Sequence, residues 1–160
     1  MGGQQAGVLL STALTTQDHK LGAIHITPAG DHYMFLQADG AVLAGQPYSY
    51  DPSTFQIEDL ADAAVVPANV ETVPICVSPV ALADNEYGWA FVGPGAFTCL
   101  TDATGVTAAG LICYVSATVG TLTSGATAAL LKGVRTEAVI TGGASGTFYA
   151  ANRMFSEDLP

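Results

Sequence analysis

Short segments in which apolar and polar residues alternate dominate the chain from residue 21 onward. Residues 24–26 alternate in this way, the turn-forming sequence 28–31 (PAGD) follows, and residues 33–37 supply a second apolar segment. Alternation with a period of two is typical of a strand with one buried face, and Pro, Gly and Asp between two such segments indicate a hairpin. A further short strand is predicted at 48–50.

The second half of the chain has the same pattern with stronger turn signals. Tyr87, Trp89 and Phe91 alternate with smaller residues, which predicts a strand with one aromatic and one small face. The continuous apolar run 111–115 is typical of a strand buried on both sides. Turns recur about every eight to twelve residues, so we expect an all-β barrel or sandwich of short antiparallel strands. The other predicted strands are 73–77, 80–83, 97–99, 134–140 and 147–155.

One segment favours a short helix. Residues 53–56 (STFQ) have the form of a capping box, and Phe55, Leu60 and Ala64 define one face of a helix that ends at about residue 65. The alternative is a loop with a single helical turn. We therefore expect at most one short helix.

Three parts are expected along the chain. Residues 1–20 lack a sustained period and are interpreted either as an extended arm that becomes ordered on contact with a partner or as a first strand with a disordered tip. Residues 21–155 form the β domain, and residues 156–160 form a C-terminal tail.

The β domain contains a short internal sequence repeat, which we call the internal echo. Residues 40–45 (GAVLAG) recur as residues 105–110 (GVTAAG), an offset of 65. Either similar turns arose twice, or the domain consists of two related β units, at about 21–66 and 67–155. In both interpretations the glycines mark positions where the backbone needs a positive φ.

The charge of the chain limits its partners. Charged residues make up 11% of the sequence, against about 25% in a typical globular domain. The net charge is −10, with four Lys and Arg against fourteen Asp and Glu. Nucleic acid and anionic membranes are therefore not expected as partners, because binding phosphates requires a basic patch. A surface this poor in charge fits a protein that works within an assembly.

Cysteine usage and the N-terminal sequence add little chemistry. Cys76, Cys99 and Cys113 lie in apolar runs without a CxxC pair and are predicted to be buried small hydrophobic residues. No basic region followed by an apolar stretch opens the sequence, and no apolar run approaches the roughly 20 residues of a membrane span. We expect synthesis in the cytoplasm without a signal peptide.

Patterns typical of catalysis are absent from the sequence. There is no GxSxG motif, Thr98 occupies the third glycine position of a dinucleotide-binding pattern, and residues 105–110 lack the Lys-Ser/Thr of a phosphate loop. We therefore predict a protein that is not an enzyme and has no cofactor or metal. His25 and His32 are expected to face each other across the first hairpin. The candidate metal ligands, which we interpret as solvated side chains, are His19, His25, His32, Glu58, Asp59 and Asp62.

Two stretches are similar to the structural proteins that coat the capsids of tailed bacteriophages. The first runs from residue 20 to residue 45 and contains KLGAI, GDHY and AVLAG. The second joins residues 87–95 (YGWAFVGPG) to 106–110 (VTAAG) and 116–120 (SATVG). Together they cover most of residues 20–135. Leu111 stands where that family usually has an acidic residue.

The resemblance implies a β-barrel or sandwich, often trimeric, on the outer surface of the virion. Such a capsid decoration, or cement, protein binds the major capsid protein at junctions between capsomers and stabilises the shell. The charge independently favours the outside, because packaged DNA repels a chain of charge −10. The candidate capsid or subunit contacts are Val8, Leu9, Leu10, Tyr87, Trp89 and Phe91.

A second function is compatible with the same aromatic residues. A host-glycan or surface-binding virion module, such as a head-fibre component, stacks sugars on exposed rings. This alternative predicts that Tyr87 and Trp89 face solvent. The decoration hypothesis instead predicts a core or a subunit contact at these positions, together with an arm and free strand edges.

Overall fold

A computed structural model describes residues 10–58, 73–116, 120–124 and 130–157. These residues form an all-β structure without a helix, which confirms the predicted fold class. All the strands in these described ranges belong to one 12-stranded sheet. They are β1 (Ile24–Ile26), β2 (His32–Ala38), β3 (Pro47–Tyr50), β4 (Gln56–Glu58), β5 (Val73–Val77), β6 (Tyr87–Phe91), β7 (Gly95–Leu100), β8 (Ile112–Val115), β9 (Leu122–Thr123), β10 (Leu130–Thr136), β11 (Ser145–Ala150) and β12 (Phe155–Glu157).

Strands β2 to β6 close into a five-stranded barrel. β2 pairs with β6 in antiparallel orientation and with β4 in parallel orientation. The pairs β4–β3, β3–β5 and β5–β6 complete the ring. β1 pairs with β2 outside this ring and forms the predicted hairpin. Closure hides most strand edges from solvent, which suits short strands that are too weak to stand alone.

Strands β7 to β11 repeat the same pairing. β7 pairs with β11, β11 with β10, β10 with β8, and β8 with β9. A single parallel bridge between Thr101 and Leu122 takes the place of the β2–β4 ladder. The internal echo therefore extends over two barrels of one design. Because β5 and β6 pair within the first barrel, the units meet near residues 92–94 and not at the expected 66/67.

The repeat includes the hydrogen bonds between the turns. Val42 and Leu82 exchange two backbone hydrogen bonds of 2.9 Å, and Val106 and Ile140 exchange two of 2.8 and 3.0 Å. These bridges join corresponding loops of the two barrels, offset by 64 residues at the first position and 58 at the second. Agreement at this level favours two related units over similar turns that arose twice.

Each barrel has a buried apolar interior. At two equivalent positions, a large residue in one interior corresponds to a small residue in the other. Tyr48 in the first barrel corresponds to Cys113 in the second, whereas Ala90 corresponds to Phe148. The two changes have opposite sign, so both interiors stay filled, as close packing requires. Cys76, Cys99 and Cys113 are buried free thiols, as predicted.

The last strand joins the two barrels. β12 lies between β5 of the first barrel and β10 of the second, with Phe155 opposite Pro74 and Ser156 opposite Leu131. The expected single strand 147–155 is therefore wrong. A bend at 151–153 divides the segment into β11 and β12, and this lets the chain return between the barrels.

Three further local predictions are wrong. The helix expected from residue 53 is a turn that leads into β4, because Phe55 takes a positive φ of 59° and Asp51 accepts a hydrogen bond from the Ser53 N–H at 2.7 Å. Residues 59–65 of that segment lie outside the described residues. Strand β8 is not buried on both sides, since Ile112 is exposed. Leu82 forms one bridge and not a strand over 80–83.

Candidate interaction surface

An aromatic ladder covers the outer face of β2 and β6. The register places Phe35 opposite Trp89 and Tyr33 opposite Phe91, with ring centroids 5.3 and 5.7 Å apart. Phe35 also stacks on Tyr87 at 6.0 Å. Meanwhile the small residues of β6 point into the barrel, so the predicted aromatic and small faces are confirmed.

The segment before β1 covers one end of this ladder. Leu14 and Tyr87 exchange backbone hydrogen bonds of 2.9 and 2.8 Å. His19 makes edge contacts with Phe35 and Trp89 at 5.2 and 5.1 Å, and His25 makes one with Trp89 at 5.8 Å. The described part of the expected arm, residues 10–20, therefore packs on the first barrel.

The candidate contact residues fall into three groups. Val8 and Leu9 lie outside the described residues, and Leu10 and Tyr87 are half-buried. Trp89 and Phe91, by contrast, are only 4% and 1% exposed within the single chain. These two rings therefore offer no surface to a partner, because the N-terminal segment covers Trp89 and the second barrel covers Phe91. The interpretation of Trp89 as a core residue is confirmed.

The histidines do not form the expected pair. His25 lies opposite Tyr33, whereas His32 lies opposite Ile26, so the two imidazoles point to opposite faces of the hairpin. Within the described ranges no group of three His, Cys, Asp or Glu residues could hold a metal ion. Glu58 is exposed on β4, and Asp59 and Asp62 lie outside the described residues.

Asp102 organises the turn after β7. Its carboxylate accepts hydrogen bonds from the Ser116 hydroxyl at 2.9 Å and from the N–H groups of Thr104 and Gly105 at 2.9 and 3.1 Å. Partial burial acts to raise the pKa of Asp102, but these hydrogen bonds together outweigh it and hold the pKa below its ordinary value. This carboxylate has a structural role in the turn.

A groove of about 470 Å³ lies between the two barrels. Its lining includes Tyr33, Val77 and Phe91 of the first barrel and Phe97 of the second. Among the described residues that line it, Tyr33 is the only ionisable one, and burial, together with the nearby charge of Asp31, raises the pKa of this phenol. These described lining residues therefore include no acid–base pair.

An exposed row of side chains lies on the outer face of the second barrel, and the sequence patterns did not predict it. Ile112 on β8 is opposite Arg135 on β10, which in turn is opposite Tyr149 on β11. Ile112 and Tyr149 are 45% and 48% exposed. These three residues are far apart in the sequence and are brought together only by strand pairing, so no local sequence pattern identifies the row.

Comparison with known proteins adds no family assignment. No protein-family model matches the sequence, and no curated protein matches it significantly. Among the described residues, no helix is long and apolar enough to cross a membrane.

Proposed function

We propose that this protein is a structural virion protein that binds the outer surface of a phage capsid and stabilises the shell. The main observation that supports this proposal is that β12 joins two barrels of one design into a single 12-stranded sheet. Such a block holds its surfaces at a fixed separation. A protein that bridges neighbouring capsomers needs this property.

The free edge of the first barrel supports this proposal. Among the described strands, β1 pairs only with β2, and its Ile24 and Ile26 side chains are exposed. An edge strand offers unpaired N–H and C=O groups to an extended segment of another protein. We propose that the major capsid protein supplies this segment at junctions between capsomers.

Charge supports the location on the outer surface. A net charge of −10 with four basic residues disfavours contact with packaged DNA. The protein would be made in the host cytoplasm and added to the head from outside. The resemblance to phage coat proteins also implies a homo-oligomer, which in that family is often a trimer.

The glycan-binding alternative has less support. It requires Tyr87 and Trp89 to face solvent, yet Trp89 is buried under His19 and His25. No observation favours an enzyme either, since Tyr33 is the only ionisable residue among the described residues that line the groove between the barrels.

Binding to purified heads that lack a decoration protein tests the proposal. We expect the protein to co-sediment with expanded heads at a saturable stoichiometry. It should also raise the temperature at which heads disrupt, because a ligand of the assembled state stabilises that state. Ile26→Lys should weaken binding, and Val139→Lys, a change at another exposed apolar residue on the second barrel, is the matched control. No binding by the unmodified protein would contradict the proposal and make a glycan array the next experiment.

A further inference from the structure

The exposed row on the second barrel has a structural equivalent on the first. Ile112, Arg135 and Tyr149 follow one another across β8, β10 and β11. Across β3, β5 and β6 the same rungs hold Pro47, Val77 and Phe91. The two rows therefore occupy the same place on two copies of one barrel.

The first-barrel row is covered, and a barrel covers it. Val77 and Phe91 are 3% and 1% exposed, and Phe91 stacks on Phe97 of the second barrel at 4.8 Å. The second-barrel row has no such cover within the described chain. Its Ile112 and Tyr149 remain large and apolar although they are about half exposed.

A neighbouring row shows which residue types this protein has on a sheet face that remains exposed to solvent. Phe35 and Trp89 lie on the first barrel under the N-terminal segment. Their equivalents on the second barrel, Thr98 and Thr147, pair in the same register and are exposed. The uncovered face thus carries threonines in place of aromatic rings. Compared with these exposed threonines, Ile112 and Tyr149 are large and apolar, as expected for a face that a partner covers.

The charges beside this row suit a second copy of the chain as the partner. Arg135 is exposed on β10, and Glu137 is exposed just after the strand, with buried Thr136 between them. When two β10 strands approach each other in antiparallel orientation, each Arg135 can face Glu137 of the other copy. A self-complementary patch of this kind is typical of a two-fold contact.

We propose that Ile112, Arg135 and Tyr149, with Glu137 beside them, form a contact face between two copies of this chain. Each copy shields the isoleucine and tyrosine of the other, and two reciprocal Arg–Glu pairs set the register. The contact joins copies in pairs, unlike the trimer that the family resemblance implies. It does not depend on capsid binding, so it can hold or fail independently of the proposed function.

Sedimentation velocity on the full chain tests this contact without any capsid. We expect the unmodified protein to form a concentration-dependent dimer, and we expect Arg135→Glu and Glu137→Arg each to weaken it by at least about tenfold. The double variant should recover most of the association because it restores opposite charges. Tyr149→Thr, which copies the residue type of the open neighbouring face, should also weaken the dimer. Lys20→Glu makes the same change in charge at an exposed site in the N-terminal segment and should have no effect.

Three outcomes would overturn the proposal. The first is a monomer at about 100 µM protein, where specific contacts of even modest affinity are populated. The second is an oligomer that none of these variants changes. The third is an unchanged state in solution with a selective loss of binding to heads for Arg135→Glu, which would assign the row to the capsid. Thermal unfolding of each variant excludes misfolding as the cause.

Discussion

The backbone of Gly88 lies directly against the side chain of Leu82, and a Cβ at position 88 would stand 2.8 Å from a Leu82 methyl carbon. The second barrel repeats this contact between Gly146 and Ile140. In both barrels the glycine has no side chain and therefore leaves space on its strand for the apolar side chain of a residue in the preceding turn. This pairing of a missing side chain with a large one is part of the repeated design.

Gly88→Ala should therefore destabilise the protein by about 1–3 kcal/mol through overpacking. Chemical denaturation monitored by circular dichroism measures this change. The double variant Gly88→Ala/Leu82→Ala should cost less than the sum of the two single changes, since it removes the clash. Strict additivity would show that the contact does not constrain position 88.

Shortening His19 should expose the only tryptophan of the chain. His19 contacts both Phe35 and Trp89, so His19→Ala should shift the emission of Trp89 to longer wavelength and increase its quenching by acrylamide. The loss of stability should be about 0.5–1.5 kcal/mol, the typical value of an aromatic pair. His32→Ala, on the other face of the hairpin from His25, is the control. Unchanged emission for His19→Ala would mean that this segment does not cover Trp89 in solution.

The backbone of β12 should hold the two barrels in one cooperative unit. Ser156 pairs with Leu131 of the second barrel and with Val73, the first residue of β5. Ser156→Pro removes its N–H from a central position in the sheet, so calorimetry should resolve two unfolding transitions in place of one. Ser156→Ala keeps the N–H and should retain a single transition. One transition in both variants would show that β12 is not needed for coupling.

The carboxylate of Asp102 should make stability depend on pH. Its pKa is lowered in the folded state, so its contribution is present above the unfolded-state value near 3.8 and is lost as pH falls through the folded-state pKa. Asp102→Asn should cost about 1 kcal/mol at pH 7. The gap between the two proteins should stay constant from pH 7 to about pH 5 and shrink below about pH 4. Asp39→Asn, an exposed change, serves as the control, and a gap that grows toward acid would contradict this account.

The cysteines should be unreactive in the folded protein. Burial raises the pKa of all three thiols, that of Cys113 to about 12, so little thiolate forms at pH 8. We expect negligible labelling by a thiol reagent in native buffer and the labelling of three thiols in guanidinium chloride. Rapid reaction of one thiol under native conditions would place that cysteine at the surface.

Several elements could be predicted because their cause is local. The 24–37 hairpin follows from two alternating segments and a turn, and the division of β6 into an aromatic and a small face follows from its period of two. The short helix failed for an equally local reason. The carboxylate of Asp51 accepts hydrogen bonds from the N–H and the hydroxyl of Ser53, and this favours a tight turn over a first helical turn.

The candidate site was harder to predict, because exposure depends on neighbours that are distant in sequence. Trp89 and Tyr149 both occupy alternating strand positions, yet Trp89 is covered by His19 and His25 while Tyr149 is open. The pattern around each residue does not contain this difference. Only the repeat, once both barrels are aligned rung by rung, shows which open face is unusual.

The sequence by itself determined the all-β class, the short strands, most of the turns and the burial of the three cysteines, because alternation and turn chemistry act over a few residues. The tertiary structure alone decided that the echo at residues 40–45 and 105–110 belongs to two barrels of one design. It also decided that β12 lies between them and that Trp89 and Phe91 are covered. These features depend on pairings between strands far apart along the chain, and a strand's own residues do not specify which neighbour completes its ladder.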